Sequence, residues 1–256
     1  MLGTPFGVRD SLLGAGSSQQ VPQNVQAVDP AFAAAENQRK LGHPEAAEWA
    51  FDAIARQARA EGDTKRQARA LLAKGGCQLR EFRYANTLST YEQVQQLAEK
   101  IGDVGMRGIA ALNIASVHFQ LDDLPTALRD VQSSIQILTG SSRPDALVKA
   151  FMLQGELKIE MGKTDEAIRS FHKAINLAQH IDDHRAESQV WYHLGESLLN
   201  VHRLAEAQAA LTESYRLRVL DHDESLPITR AHLAELELAK GNFATALKRL
   251  DAVLAG

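Results

Sequence analysis

Cysteine is almost missing from this chain. Cys77 is the only one among 256 residues. No disulfide can form within the chain, and a single thiol suits a reducing cytoplasm, where the protein is expected to reside. Aromatic residues are scarce at 5%, and there are only seven prolines. Alanine and leucine dominate instead, which favours helix over strand. Positive charge is not in excess. The formal net charge is −4, so nothing draws the whole molecule to nucleic acid or to an anionic membrane surface. No apolar run approaches the roughly 20 residues that span a bilayer. The N-terminal stretch lacks a clean apolar segment behind a basic head, because Asp10 and Gly14 interrupt it. Neither signal peptide nor membrane anchor is expected. The motifs of chemistry are absent as well: no nucleophile elbow, phosphate loop, dinucleotide fingerprint or zinc-helix signature. The expectation is a non-enzyme with no catalytic residue, no cofactor and no metal.

What is present is a period. A small residue returns about every forty positions, at Ala47, Thr87, Ala127, Ala167, Ala207 and Ala246. Four positions later stand Phe51, Tyr91, Val131, Phe171, Leu211 and Leu250. A unit of this kind cannot bury its apolar face alone, so neighbours must stack into a solenoid whose core grows in one dimension. Each unit splits into two helices. In the fourth, helix A is predicted over about 144–161 and helix B over about 164–179, with apolar residues at i, i+3, i+4 and i+7. Gly162 supplies the left-handed residue that ends helix A. Gly42, Phe82, Asp122, His202 and Gly241 fill the matching slot in other units. Asp63, Asp103, Asp183 and Asp223 stand where A helices begin and are predicted N-caps. The fourth unit opens instead on Ser141-Ser142-Arg143-Pro144, where serine is the expected cap and proline fits the first turn. Six units follow, about 30–62, 63–102, 103–140, 141–182, 183–222 and 223–256. Residues 1–29, rich in Gly, Ser, Gln and Pro near their start, read as a flexible lead-in, either a tether or without a role.

These residues resemble the tetratricopeptide repeat (TPR). The fifth unit matches best, through Trp191, Leu194, Gly195, Leu198, Leu204, Ala207, Leu211 and Tyr215. The period is longer than that of the usual unit, as in the long-helix branch of the family. The resemblance implies an all-α, right-handed superhelical solenoid in which a small residue of helix A faces the alanine of helix B. Those pairs are Gly75 with Thr87, Ala115 with Ala127, Gly155 with Ala167, Gly195 with Ala207, and Ala234 with Ala246. Thr87 departs from the pattern, so looser packing is expected in the second unit. The resemblance also implies that A helices line a concave groove that binds a protein or peptide.

The residues expected on that groove are Asn113, Phe119, Glu156, Ile159, Glu160, Tyr192, His193, Glu196, Asn200, His232 and Glu235. Asn113 matches the groove asparagine that contacts ligand backbone in long-helix relatives. Four acids, Glu156, Glu160, Glu196 and Glu235, come from three successive A helices, which points to a partner with basic and apolar residues. Tyr192 offers an amphipathic anchor. His193 with Glu196 and His232 with Glu235 share helix faces at i, i+3. They line the groove or, less in keeping with an open site, hold a divalent ion. Cys77 is expected in the core.

Three functions therefore stand beside one another. One is an interaction scaffold that binds a peptide or helix. Another is a sensor or regulatory module cut from a larger bacterial signalling or caspase-like peptidase protein. The weakest is a metal-dependent hydrolase. The last helix, about 243–254, carries an apolar stripe through Phe243, Leu247 and Leu250 with no following helix to cover it. This predicts either a fragment of a longer chain or self-association through the last repeat.

Overall fold

The computed structural model describes residues 29–254, so the lead-in proposed for the first residues lies almost wholly outside the described part. Twelve helices and no strand occur among the described residues. They are α1 (Pro30–Lys40), α2 (Pro44–Glu61), α3 (Thr64–Arg80), α4 (Tyr84–Lys100), α5 (Val104–Gln120) and α6 (Leu124–Thr139). Then follow α7 (Pro144–Glu160), α8 (Thr164–His180), α9 (His184–Asn200), α10 (Leu204–Leu220), α11 (Leu226–Ala239) and α12 (Phe243–Leu254). Odd-numbered helices are the A helices and even-numbered ones the B helices. Each packs against its neighbours in sequence, giving an all-α solenoid of helix pairs. No described helix is long and apolar enough to cross a membrane.

The pairs close on small residues. A Cβ added to Gly155 would lie 2.8 Å from the ring of Phe171, and one added to Gly195 would lie 2.6 Å from Leu211 Cγ. Ala127, Ala167, Ala207 and Ala246 are fully buried at the facing positions. The second unit is no exception. Thr87 is fully buried and its hydroxyl donates to the Arg83 carbonyl at 2.9 Å. There a Cβ on Gly75 would lie only 2.4 Å from Tyr91 Cε1. The looser packing expected from Thr87 is not found at that contact, because threonine satisfies its hydroxyl within its own helix and keeps its methyl in the seam. Cys77 is fully buried, and burial pushes its thiol up to about 11.

Every turn named from the sequence adopts the left-handed conformation. Gly42, Gly162 and Gly241 do so at no steric cost, and Phe82, Asp122 and His202 do so at φ 56°, 59° and 58°. Caps follow the sequence at three sites: Asp63, Asp103 and Asp183 accept from the backbone N–H three residues on. Asp223 departs, because it accepts from Ser225 two residues on and α11 starts later, at Leu226. The serine cap proposed for the fourth unit is also corrected. Arg143 occupies the N-cap of α7 without a side-chain capping bond, while Ser141 Oγ donates to the Leu138 carbonyl and accepts from Arg143 N. The hydroxyl closes the end of α6 rather than the start of α7. On α12, Phe243 and Leu247 are 70% and 62% exposed.

Two stability predictions follow from this geometry. Ala167→Leu overpacks the α7–α8 seam and should cost about 1–3 kcal/mol in urea unfolding. Asn176→Leu, on the exposed face of the same helix, should stay within about 0.5 kcal/mol. Equal effects would place the seam elsewhere. Phe82→Gly removes a left-handed bulky residue that is 71% exposed. It should raise stability by about 0.5 kcal/mol, since the conformational relief outweighs the extra freedom of the unfolded chain. A fall in melting temperature would show that the ring's contact with Tyr84 matters more.

Candidate groove site

Consecutive A helices touch one another directly, α5 with α7, α7 with α9 and α9 with α11, whereas no two B helices make comparable contact. The A helices therefore form the inner layer, and their outward faces line the concave side. Helical spacing brings to that side one residue near the middle of each A helix and another a turn later.

At the C-terminal end of this face the side chains meet. His193 Nδ1 lies 3.1 Å from Glu156 Oε1 of α7 and 3.7 Å from Glu196 Oε2 of its own helix. Glu196 Oε1 is 3.5 Å from His232 Nε2 on α11. Tyr192 sits at the centre. Its hydroxyl donates to Glu196 at 3.4 Å and lies equally close to the His232 ring. Its ring meets those of His193 and His232 edge-on, with centroids 5.2 and 5.1 Å away. On its other side the Arg218 guanidinium stands 4.8 Å from the ring centroid. Arg218 comes from α10 and is buried. It donates to the Ser225 carbonyl and to Thr229 Oγ1, tying the ring to the start of α11.

The charges respond to these neighbours. Hydrogen bonds from His193 and then His232 hold the Glu196 carboxyl far below the usual carboxylate range. The bond to Glu196 raises the pKa of His232, which also contacts the Ile228 carbonyl at 3.1 Å through Nδ1. Burial pushes the Glu156 carboxyl up, against the pull of His193. Burial, with Glu196 adding to it, raises the Tyr192 phenol to about 12.

The other residues expected on the groove are placed less uniformly. Glu160, Asn200 and Glu235 are exposed on the A helices. Asn113 is half-buried, and its amide makes no hydrogen bond among the described residues. Phe119 is half-buried against the core of the third unit. Ile159 is buried in the core with Ala174, Ile175 and Val190 rather than open on the groove floor. Its register turns toward the next helix pair. Glu235 stays outside the cluster and Glu156 takes the place beside His193. So the two i, i+3 pairs read from the sequence do not come together as a set of four. Among the described residues no group of three or more His, Cys, Asp or Glu side chains is placed to hold a metal ion. Sequence reasoning missed Arg218. It belongs to a B helix, and nothing in its local pattern marks it as reaching across to an A helix. A cavity of about 670 Å³ between α2, α3 and the following turn lies away from this cluster. Its two cations are already engaged, Arg83 with Glu48 and Glu81 and Lys74 with Asp52.

Residues 147–219, which include α8, α9 and most of α7 and α10, match the tetratricopeptide repeat family. Over those residues the sequence is similar to tetratricopeptide repeats. No curated protein matches it in overall sequence. Solved structures share the fold at low identity. BtubC (BKLC) from P. vanneervenii superposes with a TM-score of 0.69 at 14% identity, over 90% of this chain and 90% of that one. A Rap protein in complex with Competence and Sporulation Factor gives 0.64 at 10% identity, over 74% of this chain and 54% of that one. The Signal Transduction ATPase with Numerous Domains protein of Pyrococcus horikoshii, which has a tetratricopeptide repeat sensor, gives 0.68 at 12% identity. That match covers 87% of this chain and 34% of the other.

The histidine cluster predicts a pH-dependent contribution to stability. A raised His232 pKa means that the folded state binds its proton more tightly. The contribution is full below the ordinary histidine value of 6.5 and is lost as pH rises through the raised value. A lowered Glu196 pKa means its contribution is full above 4.5 and lost as pH falls well below that. The pair is therefore strongest between those two ordinary values. The melting-temperature gap between wild type and His232→Gln should be widest near pH 5.5 and shrink toward pH 9, roughly the span of histidine titration. A gap independent of pH would mean that His232 acts only through its bond to the Ile228 carbonyl.

Proposed function

We propose that this protein is an interaction scaffold whose concave face binds a peptide or helix carrying basic and apolar residues. The observation that carries this reading is the convergence of Glu156 and Glu196 from neighbouring A helices on His193, beside Tyr192. Glu160 and Glu235 stand exposed on either side, and the Asn113 amide has no hydrogen-bond partner among the described residues. Acidic side chains receive a basic residue, an amphipathic ring anchors an apolar one, and a free amide can pair with ligand backbone. A Rap protein of the same fold was solved in complex with Competence and Sporulation Factor, which supports a binding role for a solenoid of this kind.

A second reading is a sensor module within a larger signalling assembly. The match to a much longer protein with a tetratricopeptide repeat sensor favours it. In that reading the same groove binds, and binding is coupled to another domain. Self-association through the exposed face of α12 is a further proposal, tested by sedimentation over a range of concentrations.

Rim charges act mainly on encounter. The double variant Glu160→Lys, Glu235→Lys changes two exposed acids that make no hydrogen bond to the Tyr192 cluster among the described residues. It should slow association of a basic, apolar helical peptide by about three- to tenfold at low salt. The difference should fade near 0.5 M salt, where screening is short-ranged at about 4 Å. An unchanged association rate would remove the peptide from this end of the groove.

A further inference from the structure

The concave side holds a second cavity, of about 510 Å³, at its other end. It is built by α1, α3, α5 and the loop before α7, and its floor is apolar: Phe32, Leu72, Met106 and Ile109. Its rim is cationic, with Lys65, Arg69 and Arg143, all exposed. Two carboxylates also line it, but both are engaged. Glu36 pairs with Arg39 at 2.7 Å, and Asp103 Oδ1 accepts from Met106 N at 2.8 Å. Arg69 lies over the Phe32 ring at 5.2 Å, which fixes its head above the apolar floor. Arg143 pairs with Asp145, and its stem crosses the first turn of α5. Gly105 makes that crossing possible, since a Cβ there would lie 2.7 Å from Arg143 Cγ. Lys65 forms no ion pair or hydrogen bond among the described residues.

We propose that this cavity is the anion-accepting end of a bipolar groove, and that it takes an acidic side chain flanked by bulky apolar residues. It rests on the peptide-binding reading above, and the acidic segment belongs to the same ligand whose basic residues lie against Glu156 and Glu196. Complementary charge at both ends of one face selects a ligand with its charges separated along its length. A carboxylate fits better than a phosphate. The N-terminus of α5, where a phosphate would draw on free backbone N–H groups, already carries the Asp103 carboxylate. Arg143, the guanidinium best placed for a bidentate grip, is already bidentate with Asp145. What remains is an ammonium and a ring-stacked guanidinium over four apolar side chains, suited to a single negative charge with apolar neighbours.

Two fluorescent helical peptides of equal length and equal apolar spacing test this. One carries an acidic block and a basic block, and in the other glutamines replace the acids. Wild type should bind the first about five- to tenfold more tightly than the second. The variant Lys65→Glu, Arg69→Glu should lose that preference, and its affinity for the glutamine peptide should stay unchanged. Both substitutions are at exposed positions, and circular dichroism confirms the fold of the variant. A third peptide with lysines in place of the acidic block should bind the variant better than wild type. Equal binding of the acidic and glutamine peptides to wild type would overturn this proposal and leave the groove reading standing. Failure of wild type to bind any of the three would overturn both.

Discussion

The rest of the structure hangs on the close approach of two helices at a residue with little or no side chain. Gly155 admits the Phe171 ring, Gly195 admits Leu211, and Gly75 admits Tyr91. Each contact lets a large apolar group of helix B press against the backbone of helix A, where dispersion and burial are both strongest. Repeated along the chain, such contacts hold each A helix close to its B helix. Because the pairs stack with A helix against A helix, equivalent residues of successive A helices come into line. The groove is therefore a consequence of packing: no residue on its surface determines where it lies. A residue on that surface is free to vary in charge without cost to the seam beneath it.

The polar cluster around Tyr192 depends on that alignment. His193 reaches back to Glu156 on α7, and Glu196 reaches forward to His232 on α11. A small rotation of α9, which takes part in both links, would break them together. Arg218 adds a tie from the outer layer, because its guanidinium stacks on Tyr192 while it holds Ser225 and Thr229 at the start of α11. Burial pulls its pKa down, and the two bonds from Nη1 and the Tyr192 ring offset that cost only in part, because its buried Nε has no hydrogen-bond partner among the described residues. One buried cation thus links the groove ring to the junction between the fifth and sixth units. A ligand that displaces the Tyr192 ring would bear on that junction.

Much of the fold was legible because its signals are local. A left-handed turn, an aspartate cap and a small residue in a seam each act within a few positions, so the repeat of Gly162, Asp183 and Ala167 could be read directly. Where two local signals competed, the reading failed. Ser141 was free to cap α7 or to close α6, and it closes α6 because the Leu138 carbonyl lies within reach at 2.9 Å. Asp223 lost its cap role when Pro227 and the turn before it moved the start of α11. The site was less legible, because it is made of contacts between helices. Register placed Glu156, Tyr192, His193, Glu196 and His232 on one face. It could not say that Ile159 turns into the core, that Glu235 stays outside, or that Arg218 crosses from the outer layer. Lys65 and Arg69 were missed for a simpler reason. They lie in the first turns of α3, ahead of the registers taken to line the groove, and only the convergence of α1 and α5 makes them neighbours of a cavity.

The separation of charge along the groove follows from how each end is desolvated. At the C-terminal end the acids are drawn partly out of water and depend on imidazoles for compensation, so their net field is small until a cation arrives or His232 loses its proton. At the other end Lys65 and Arg69 stay in contact with solvent above an apolar floor, so their field is screened and acts at short range. The two ends therefore act differently on a ligand with separated charges. The exposed rim residues at both ends, Lys65, Arg69, Glu160 and Glu235, govern its approach. In the proposed complex the half-buried Glu156–His193 and Glu196–His232 pairs are what the ligand must displace to stay. A ligand cation that enters there takes over a carboxylate from an imidazole, so release of a proton by His232 favours its residence. Binding at the acidic end is thereby linked to pH through the same pair that stabilises the fold, and at the basic end it is not.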